Sequence, residues 1–292
     1  MQIYSENRIA GKTQCLQIHR NYLMSDWNDF DFDLTENPTP DEYQLTARET
    51  LREFFERNKN KVYFANQLAI VNEGSFFHWI TARALRDLID QDLIRTENRK
   101  LAIGSELKLM WHRSYRYYKR DAKKIVELVN EYGSPNMCAS IGLHGEQMIL
   151  AAFALRQFIV QSHNSRSYLG KTWVKTAHNL DFVFERDGRV YGVEVKNTLS
   201  YMDEEEFQIK IEMCEELGIV PVFAVRMMPK SWIHELISRG GYAMILKYQL
   251  YPWTHRDLAE KVRVQLGLPV DAPRRLTDGT MDRFLKWHRT KL

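Results

Sequence analysis

Hydrophobic and polar positions alternate most regularly between residues 180 and 196. Two runs rich in β-branched and aromatic residues, 180–184 and 190–196, lie on either side of Asp187-Gly188, a dipeptide that is typical of tight hairpin turns. Side chains alternate between the two faces of a strand, so each run has two chemically distinct faces. The pattern therefore predicts two antiparallel strands joined by a short turn.

The segments around this hairpin have the periodicity of helices and buried strands. Residues 143–155 are apolar on more than one face, which is expected for a buried helix, and Glu146 lies in its predicted first turn. The order predicted downstream is helix, strand, helix, strand, over residues 203–217, 219–225, 230–238 and 241–246. These elements predict a sheet flanked by helices.

Residues 43–112 carry a separate, mostly helical pattern. Residues 46–49 have the spacing of a capping box and open a first helix, and residues 64–69 predict a short second one. Residues 75–91 have apolar side chains at helical spacing, and residues 92–103 follow as a predicted strand, turn and strand. This pattern predicts a small module ahead of the hairpin.

Two acidic residues and a lysine are predicted to meet on one face of the hairpin. Glu194 and Lys196 share that face, and pairing across the turn brings Asp181 close to both. Such charges are costly if they are buried without partners, and Mg²⁺ offsets the cost because it binds hard oxygen ligands. The alternative is an exposed Glu-Lys pair, worth only ~0–1 kcal/mol. Val193 and Val195 alternate with Glu194 and Lys196, so one face of the strand is apolar and the other is wholly ionic, which favours the metal site.

This hairpin resembles the catalytic hairpin of the PD-(D/E)xK nuclease superfamily, and the resemblance covers roughly residues 140–250. It implies a core that hydrolyses phosphodiester bonds in DNA, in which Asp181 and Glu194 hold Mg²⁺ and Lys196 assists the attacking water. Mn²⁺ is expected to substitute for Mg²⁺. The resemblance also implies two further metal ligands, the Val195 backbone carbonyl and Glu146. The chain departs from the family pattern in having no proline before Asp181.

Two polar residues on the predicted helix after the second strand are candidate substrate contacts. Some members of the family place such a contact at this point, and here the positions are Gln208 and Lys210. A solvated helix face is the alternative interpretation for both. An acid at the N-terminus of a helix is likewise the alternative interpretation of Glu146, because the helix dipole favours it.

The upstream module resembles a winged helix-turn-helix domain, most closely over residues 81–94. In that family the third helix enters the major groove of DNA and the wing touches the backbone. The resemblance implies DNA contacts from Ser75, His78, Trp79, Thr81, Arg83 and Arg86 in the third helix and its approach, and from Arg95, Arg99 and Lys100 in the wing. Some winged helices bind protein instead, and this alternative stays open.

A basic and aromatic segment follows the module. Residues 111–124 contain six Arg or Lys and one acid, with Trp111 and three tyrosines between them. Basic side chains suit phosphates and aromatic rings stack on bases, so Arg113 and Arg116 are candidate DNA contacts. The alternative is a connecting helix over residues 113–140 with a solvated basic face.

Composition limits the remaining possibilities. The 292 residues leave room for two domains, and the net charge of +3 says little about partners. The three cysteines lack metal-ligand spacing and form no disulfide framework. No run of about 18 apolar residues and no signal-peptide pattern stands out, so we expect a cytoplasmic protein without a membrane partner.

Together these patterns predict an α/β protein, a restriction-endonuclease-like mixed sheet flanked by helices and preceded by a small winged-helix-like domain. The predicted segments are an acidic extension (1–40), the winged-helix-like domain (41–112), a connecting helix (113–140), the nuclease domain (141–250) and a basic C-terminal extension (251–292). The predicted activity is that of a Mg²⁺-dependent DNA endonuclease, acting as a homodimer or in a larger nucleoprotein assembly.

Several biological roles fit such an activity. The open subtypes are a restriction or defence nuclease, a transposon-end nuclease of DNA recombination, and a junction or repair nuclease. The alternative from another class is a non-catalytic DNA-binding protein, or a regulator that works through the winged-helix-like domain. Only the enzyme needs Mg²⁺ for its output, so metal dependence separates the two classes.

Overall fold

A computed structural model describes residues 41–292, so the predicted acidic extension over residues 1–40 and Cys15 lie outside the described residues. The chain divides into two compact units. The first unit is Met1–Ala139 with Glu260–Pro269, described from Asp41 onward, and the second unit is Ser140–Ala259 with Val270–Leu292.

The first unit is built from helices and a small antiparallel sheet. Its elements are α1 (Glu42–Arg57), β1 (Val62–Phe64), α2 (Ala65–Val71), α3 (His78–Asp90), β2 (Ile94–Lys100), β3 (Glu106–His112) and α4 (Tyr118–Tyr132). The strand order is β1-β3-β2, with β3 antiparallel to both neighbours. The three predicted helices are present as α1, α2 and α3, and Leu51, Phe55, Leu68 and Leu85 of these helices are fully buried in the core.

Three predicted boundaries in the first unit are wrong. The capping box predicted at residues 46–49 is inside α1, which begins at Glu42 with Asp41 as its N-cap, and the Thr46 hydroxyl donates to the carbonyl of Glu42 instead.

The strand, turn and strand predicted over residues 92–103 is in fact only β2 and its turn, and the returning strand is β3. The turn is longer than expected because Leu101 donates its backbone N–H to the carbonyl of Ser105, with Gly104 at a φ of 89°. The connecting helix predicted over residues 113–140 is interrupted: α4 ends at Tyr132 and a new helix begins at Pro135.

The second unit contains a five-stranded mixed sheet flanked by helices. The strands are β4 (Ile159–Ser165), β7 (Leu180–Arg186), β8 (Arg189–Lys196), β9 (Val220–Val225) and β10 (Tyr242–Ile245), in the order β10-β9-β8-β7-β4. β8 pairs antiparallel with β7 and parallel with β9. Its helices are most of α5 (Pro135–Leu155), α6 (Glu204–Leu217), α7 (Lys230–Ser238) and α9 (Asp278–Arg289). The helix α8 (Arg256–Leu266) begins in the second unit and continues from Glu260 into the residues of the first unit.

Short elements complete the second unit. They are two strand pairs, β5 (Ser167–Tyr168) with β6 (Lys171–Thr172) and β11 (Gln249–Leu250) with β12 (Val270–Asp271), and a single 3-10 turn (Trp253–His255). The helices and strands predicted downstream of residue 200 are confirmed, and α7 has the predicted bounds. Asp203 begins α6 by accepting hydrogen bonds from the backbone N–H groups of Glu205 and Glu206.

The predicted hairpin is confirmed as β7 and β8. Asp187 and Gly188 both have positive φ, 53° and 71°, and Arg186 pairs with Arg189 across them. This is the backbone that a two-residue hairpin turn requires, and glycine adopts it without steric cost. The turn therefore fixes the register of the two strands that carry the ionic residues.

The apolar face of β8 packs into an aromatic core. Tyr191 and Val193 are fully buried beside Phe153 and Phe284, which come from α5 and α9. The Tyr191 hydroxyl also lies 2.5 Å from His288 Nδ1, while His288 Nε2 lies 3.0 Å from an Asp187 oxygen. The basic C-terminal extension therefore contains a helix, α9, that packs on the hairpin through one face.

One described helix, α5, could cross a membrane by its length and composition alone. No membrane-spanning helix was predicted from the sequence. The core helix of a globular protein passes the same test. Met148, Ile149 and Phe153 of α5 lie in the core of the second unit, and a third of the most apolar window is buried there. Burial in this core therefore explains part of the apolar character of α5.

Candidate active site

The ionic face of β8 packs against α6 in a regular register. Gly192, Glu194 and Lys196 follow one another on that face at intervals of two residues, which is about 6.6 Å along a strand. Their neighbours on α6 are Cys214, Lys210 and Glu206, in that order, at intervals of four residues or about 6 Å along a helix. The spacing of these residues along the strand therefore matches the spacing of their neighbours along the helix. Each charge on the ionic face of β8 lies against an opposite charge on α6.

Close approach of the two elements depends on Gly192. A Cβ at this position would lie 2.6 Å from Cys214 Sγ and 2.8 Å from Leu180 Cδ1, distances that real side chains do not reach. The absence of a side chain lets α6 lie directly on the strand. The ion pairs that follow are buried for this reason.

Glu194 is the centre of a buried network of ion pairs. It is 2% exposed, its Oε1 lies 3.2 Å from Lys196 Nζ, and its Oε2 accepts a hydrogen bond from Lys210. Lys196 also donates to Glu206 Oε1 at 2.7 Å, and Lys210 also donates to the backbone carbonyl of Asn179. Both oxygens of the central carboxylate are thus engaged by ammonium groups.

Asp181 lies beside this network at the start of β7. The register that pairs Phe182 with Val193 places Asp181 opposite Glu194, and Asp181 Oδ2 accepts the Val195 backbone N–H at 2.7 Å. Burial and the charge of Glu194 raise the pKa of Asp181 well above its ordinary value, and Lys210 offsets only part of this effect. The three residues predicted to form the site are therefore brought together.

The charged states of the other two residues follow from their partners. Burial would raise the pKa of Glu194, but Lys210 and Lys196 hold it below its ordinary value. Burial alone would lower the pKa of Lys196, but Glu194 and Glu206 raise it above its ordinary value. Glu194 is therefore a carboxylate and Lys196 an ammonium at neutral pH, while Asp181 is the group that favours protonation.

Glu146 reaches the same region from α5, but not as predicted. The helix begins at Pro135, so Glu146 lies about three turns from its start and not in the first turn. The helix dipole therefore does not explain this acid. Burial and the charge of Glu194 raise the pKa of Glu146, and one of its oxygens lies 3.8 Å from Nε2 of His163 on β4.

Asn197 holds the end of β8 in place. Its side-chain amide donates to the carbonyls of Ile141 and Leu250, at 2.9 and 2.7 Å, and its side-chain oxygen accepts the Leu250 backbone N–H at 2.7 Å. A Cβ on Gly145 would lie 2.5 Å from Asn197 Cβ, so α5 approaches the strand closely at this point. This arrangement places Glu146 near the ionic residues.

The donor atoms have the chemistry of a divalent-cation site without being assembled as one. Carboxylate oxygens are the ligands that Mg²⁺ prefers, and a cation beside Asp181 would relieve the repulsion that raises its pKa. Among residues 41–292, however, no three His, Cys, Asp or Glu side chains form a group that could hold a metal ion. Metal binding at this place therefore requires Glu194 to exchange an ammonium for the cation.

The two candidate substrate contacts on α6 differ from the prediction. Lys210 is 3% exposed and paired with Glu194, so the solvated-face interpretation is wrong for it. Gln208 is half-buried and donates to both carboxylate oxygens of Glu235, at 3.0 and 3.2 Å. His178, three residues before Asp181 in the sequence, lies 2.9 Å from the hydroxyl of Thr176 through its Nδ1.

The DNA contacts predicted in and before α3 differ in how much of each side chain is exposed to solvent. Trp79 is 38% exposed, and the Arg83 guanidinium lies 5.0 Å from the centre of its ring. Phe77 stacks beside Trp79 and is also exposed. Thr81 is fully buried, so this predicted contact is wrong. Ser75 is exposed, and His78 and Arg86 are half-buried.

Of the remaining basic candidates for DNA contact, three are paired with acids, and two lie before α4 and not in the predicted connecting helix. Arg99 lies 2.8 Å from Glu97, and Arg95 and Arg113 both lie within 4 Å of Asp92. Arg113 and Arg116 precede α4, and Lys100 and Arg116 are exposed. Trp111 is buried and stacks on Tyr118 at 3.9 Å, so it is not available to stack on a base as expected.

Comparisons with protein-family models, with curated proteins and with solved structures found no match to this chain. The site is therefore argued from its own residues. Sequence reasoning missed Glu206, Asn197 and His163, of which only Glu206 left a signal. It stands four residues before Lys210, so the two side chains share one face of α6 with opposite charges.

Proposed function

We propose that this chain is a metal-dependent DNA endonuclease that hydrolyses phosphodiester bonds at the site formed by Asp181, Glu194 and Lys196. The observation that carries the proposal is the burial of Glu194 between two ammonium groups with Asp181 opposite it on the paired strand. Buried charges of this density destabilise a fold more readily than they stabilise it, which favours a functional reason for them.

The order of elements in each unit supports the proposal. In the second unit, a helix precedes a mixed sheet whose central hairpin carries the ionic residues, which is similar to a restriction-endonuclease-like core. In the first unit, the order helix, strand, helix, helix, strand, strand is similar to a winged helix-turn-helix domain. A DNA-binding domain joined to a nuclease core fits one function.

The proposed roles of the residues follow from their contacts. Asp181, Glu194, Glu146 and the Val195 backbone carbonyl would hold Mg²⁺ or Mn²⁺, which would lower the pKa of a bound water and neutralise charge on the phosphate. Lys196 is an ammonium with donors to spare, so it can hydrogen-bond the attacking water or a phosphate oxygen. Glu206, 2.7 Å from Lys196, would keep that lysine in place when the metal ion takes its position on Glu194.

Cleavage of plasmid DNA in the presence of Mg²⁺ or Mn²⁺ tests the proposal directly. We expect cutting that EDTA abolishes and that added Mg²⁺ restores, on at least one of supercoiled, linear, branched and single-stranded DNA. Cutting both strands needs two sites, so we also expect a homodimer or a larger nucleoprotein assembly. Folded protein that binds DNA and cuts none of these substrates with either metal would favour the non-catalytic DNA-binding protein.

Arg83→Ala is expected to weaken DNA binding. The guanidinium lies over the exposed ring of Trp79, on the helix that a winged-helix domain places in the major groove. Loss of one such arginine contact costs roughly 1–3 kcal/mol. Fluorescence anisotropy with duplex DNA at one fixed salt concentration measures the change.

Arg57→Ala is the matched control for this measurement. Arg57 is an exposed arginine of α1 in the same unit, paired with Glu53 at 2.7 Å, and no DNA contact is proposed for it. If Arg83→Ala and Arg57→Ala change the affinity equally, α3 is not the element that reads DNA. The protein-binding alternative would then apply to the first unit.

A further inference from the structure

Lys210 occupies a position in the site that the roles above do not use. It comes from α6, is 3% exposed, and donates to Glu194 Oε2 and to the carbonyl of Asn179. Among the described residues its salt bridge is to Glu194, while its charge acts on Asp181 and Glu146 by lowering their pKa values without direct pairing. Its positive charge is therefore fixed on one oxygen of the carboxylate.

Lys196 differs from Lys210 in having an alternative partner. It lies 3.2 Å from Glu194 Oε1 but 2.7 Å from Glu206 Oε1, and it is 11% exposed. Lys196 can leave Glu194 and stay paired with Glu206, whereas Lys210 would leave its ionic partner altogether. A cation that binds Glu194 therefore displaces Lys196 from Oε1 more readily than it displaces Lys210 from Oε2.

We propose that Lys210 is a fixed cation of the active site that stands in the place of a second divalent ion, so that the site binds a single divalent ion per chain. A carboxylate that bridges two metal ions uses both of its oxygens, and in two-metal sites the ions lie about 3.5–4 Å apart. With Oε2 of Glu194 held by Lys210, only Oε1 is open to exchange. The inference rests on the proposed nuclease function, since it concerns the metal site of that enzyme.

Counting bound Mn²⁺ without DNA tests the inference separately from cleavage. We expect isothermal titration calorimetry and electron paramagnetic resonance to give one Mn²⁺ per chain in the wild type and none in Asp181→Asn. Lys210→Met is expected to bind a second Mn²⁺, or to bind the first at least ~10-fold more tightly, because a positive charge beside the ion is removed.

Two control variants separate the charge of Lys210 from its structural role. Lys210→Arg keeps the charge and is expected to keep one ion per chain. Lys175→Met removes an exposed lysine that lies outside α6 and pairs with Glu216 of α6 at 3.0 Å, and it is expected to leave Mn²⁺ binding unchanged. Circular dichroism and a thermal melt show whether each variant is folded; if Lys210→Met is not, Lys210→Gln replaces it.

The outcomes distinguish the inference from the function on which it rests. Two Mn²⁺ ions per wild-type chain, or equal number and affinity in Lys210→Met and the wild type, would overturn the role of Lys210 and leave the metal site standing. If neither protein binds Mn²⁺, both the metal site and the inference fail. Binding in Lys210→Met but not in the wild type would overturn the inference as stated, because the wild type is expected to hold one ion.

Discussion

Asp181→Asn is expected to abolish cleavage, with a fall of roughly 10³-fold or more in the single-turnover rate. The substitution removes the carboxylate proposed to hold the metal ion, and a bound metal supplies several kcal/mol of transition-state stabilisation. The amide oxygen can still accept the Val195 backbone N–H, which Asp181 Oδ2 accepts at 2.7 Å. The strand pairing should therefore survive, and the loss should be chemical.

The same variant is expected to be at least as stable as the wild type in the absence of metal. Burial and Glu194 raise the pKa of Asp181 in the folded protein, so its ionised form costs free energy there. Stability is therefore lost as the pH rises through the folded-state pKa, and the neutral amide avoids that loss. The advantage of the variant should shrink as the pH falls below that pKa.

Urea denaturation at several pH values, beside the cleavage assay, checks both parts of this prediction. Glu185→Gln is a control, because Glu185 lies on the same strand and hydrogen-bonds Gln161 on the protein surface. Undiminished cleavage by purified Asp181→Asn would remove Asp181 from the metal site. Lost cleavage together with lost stability would mean that the residue acts on the fold and not on the chemistry.

The hairpin could be predicted from the sequence because its signals are local. Asp187-Gly188 fixes the turn, and the alternation of Val193 and Val195 with charged residues separates the two faces of β8. The helices after residue 200 were equally accessible, since Asp203 and Gly218 mark the two ends of α6. Helix caps and tight turns depend on residues that are neighbours in the chain, so a single sequence is enough to predict them.

The partners of the ionic residues could not be predicted in this way. Lys210 looks like a surface lysine in the sequence, because nothing in its neighbours shows that α6 lies across β8. That packing depends on Gly192, whose missing side chain has no signature of its own in a strand. Glu146 was placed too near its helix start for a related reason, since residues 135–142 lack the regular apolar spacing that marks a helix. Contacts between segments that are distant in the chain depend on how helices and strands pack together, and a single sequence carries no local signal of that packing.

The packing of α6 on β8 keeps the buried charges ionised and also makes each of them depend on its partners. Each charge on β8 meets an opposite charge on α6, so the network is balanced when no other cation is bound. Balance of this kind keeps buried groups ionised, but it makes every member depend on the others. The largest effect on stability should therefore come from the residue with the most partners.

Glu194→Gln is expected to destabilise the protein by roughly 3–5 kcal/mol, the usual cost of removing one partner from a buried ion pair. Glu194 is 2% exposed and is the shared partner of Lys196 and Lys210. The amide preserves the shape of the side chain but leaves Lys210, itself buried, without an anionic partner. Chemical denaturation followed by tryptophan fluorescence measures the loss, because Trp173 is buried in the same unit.

A double variant and a surface control make this result specific. Glu194→Gln with Lys210→Met removes both partners, and we expect it to recover part of the lost stability, because a buried pair replaced by uncharged groups costs little. Glu215→Gln removes an exposed partner of Arg239, 3.1 Å away, and should change stability by only ~0–1 kcal/mol. If Glu194→Gln costs no more than this surface variant, the buried network contributes little to the fold, and the charges of β8 and α6 are not coupled as their distances indicate.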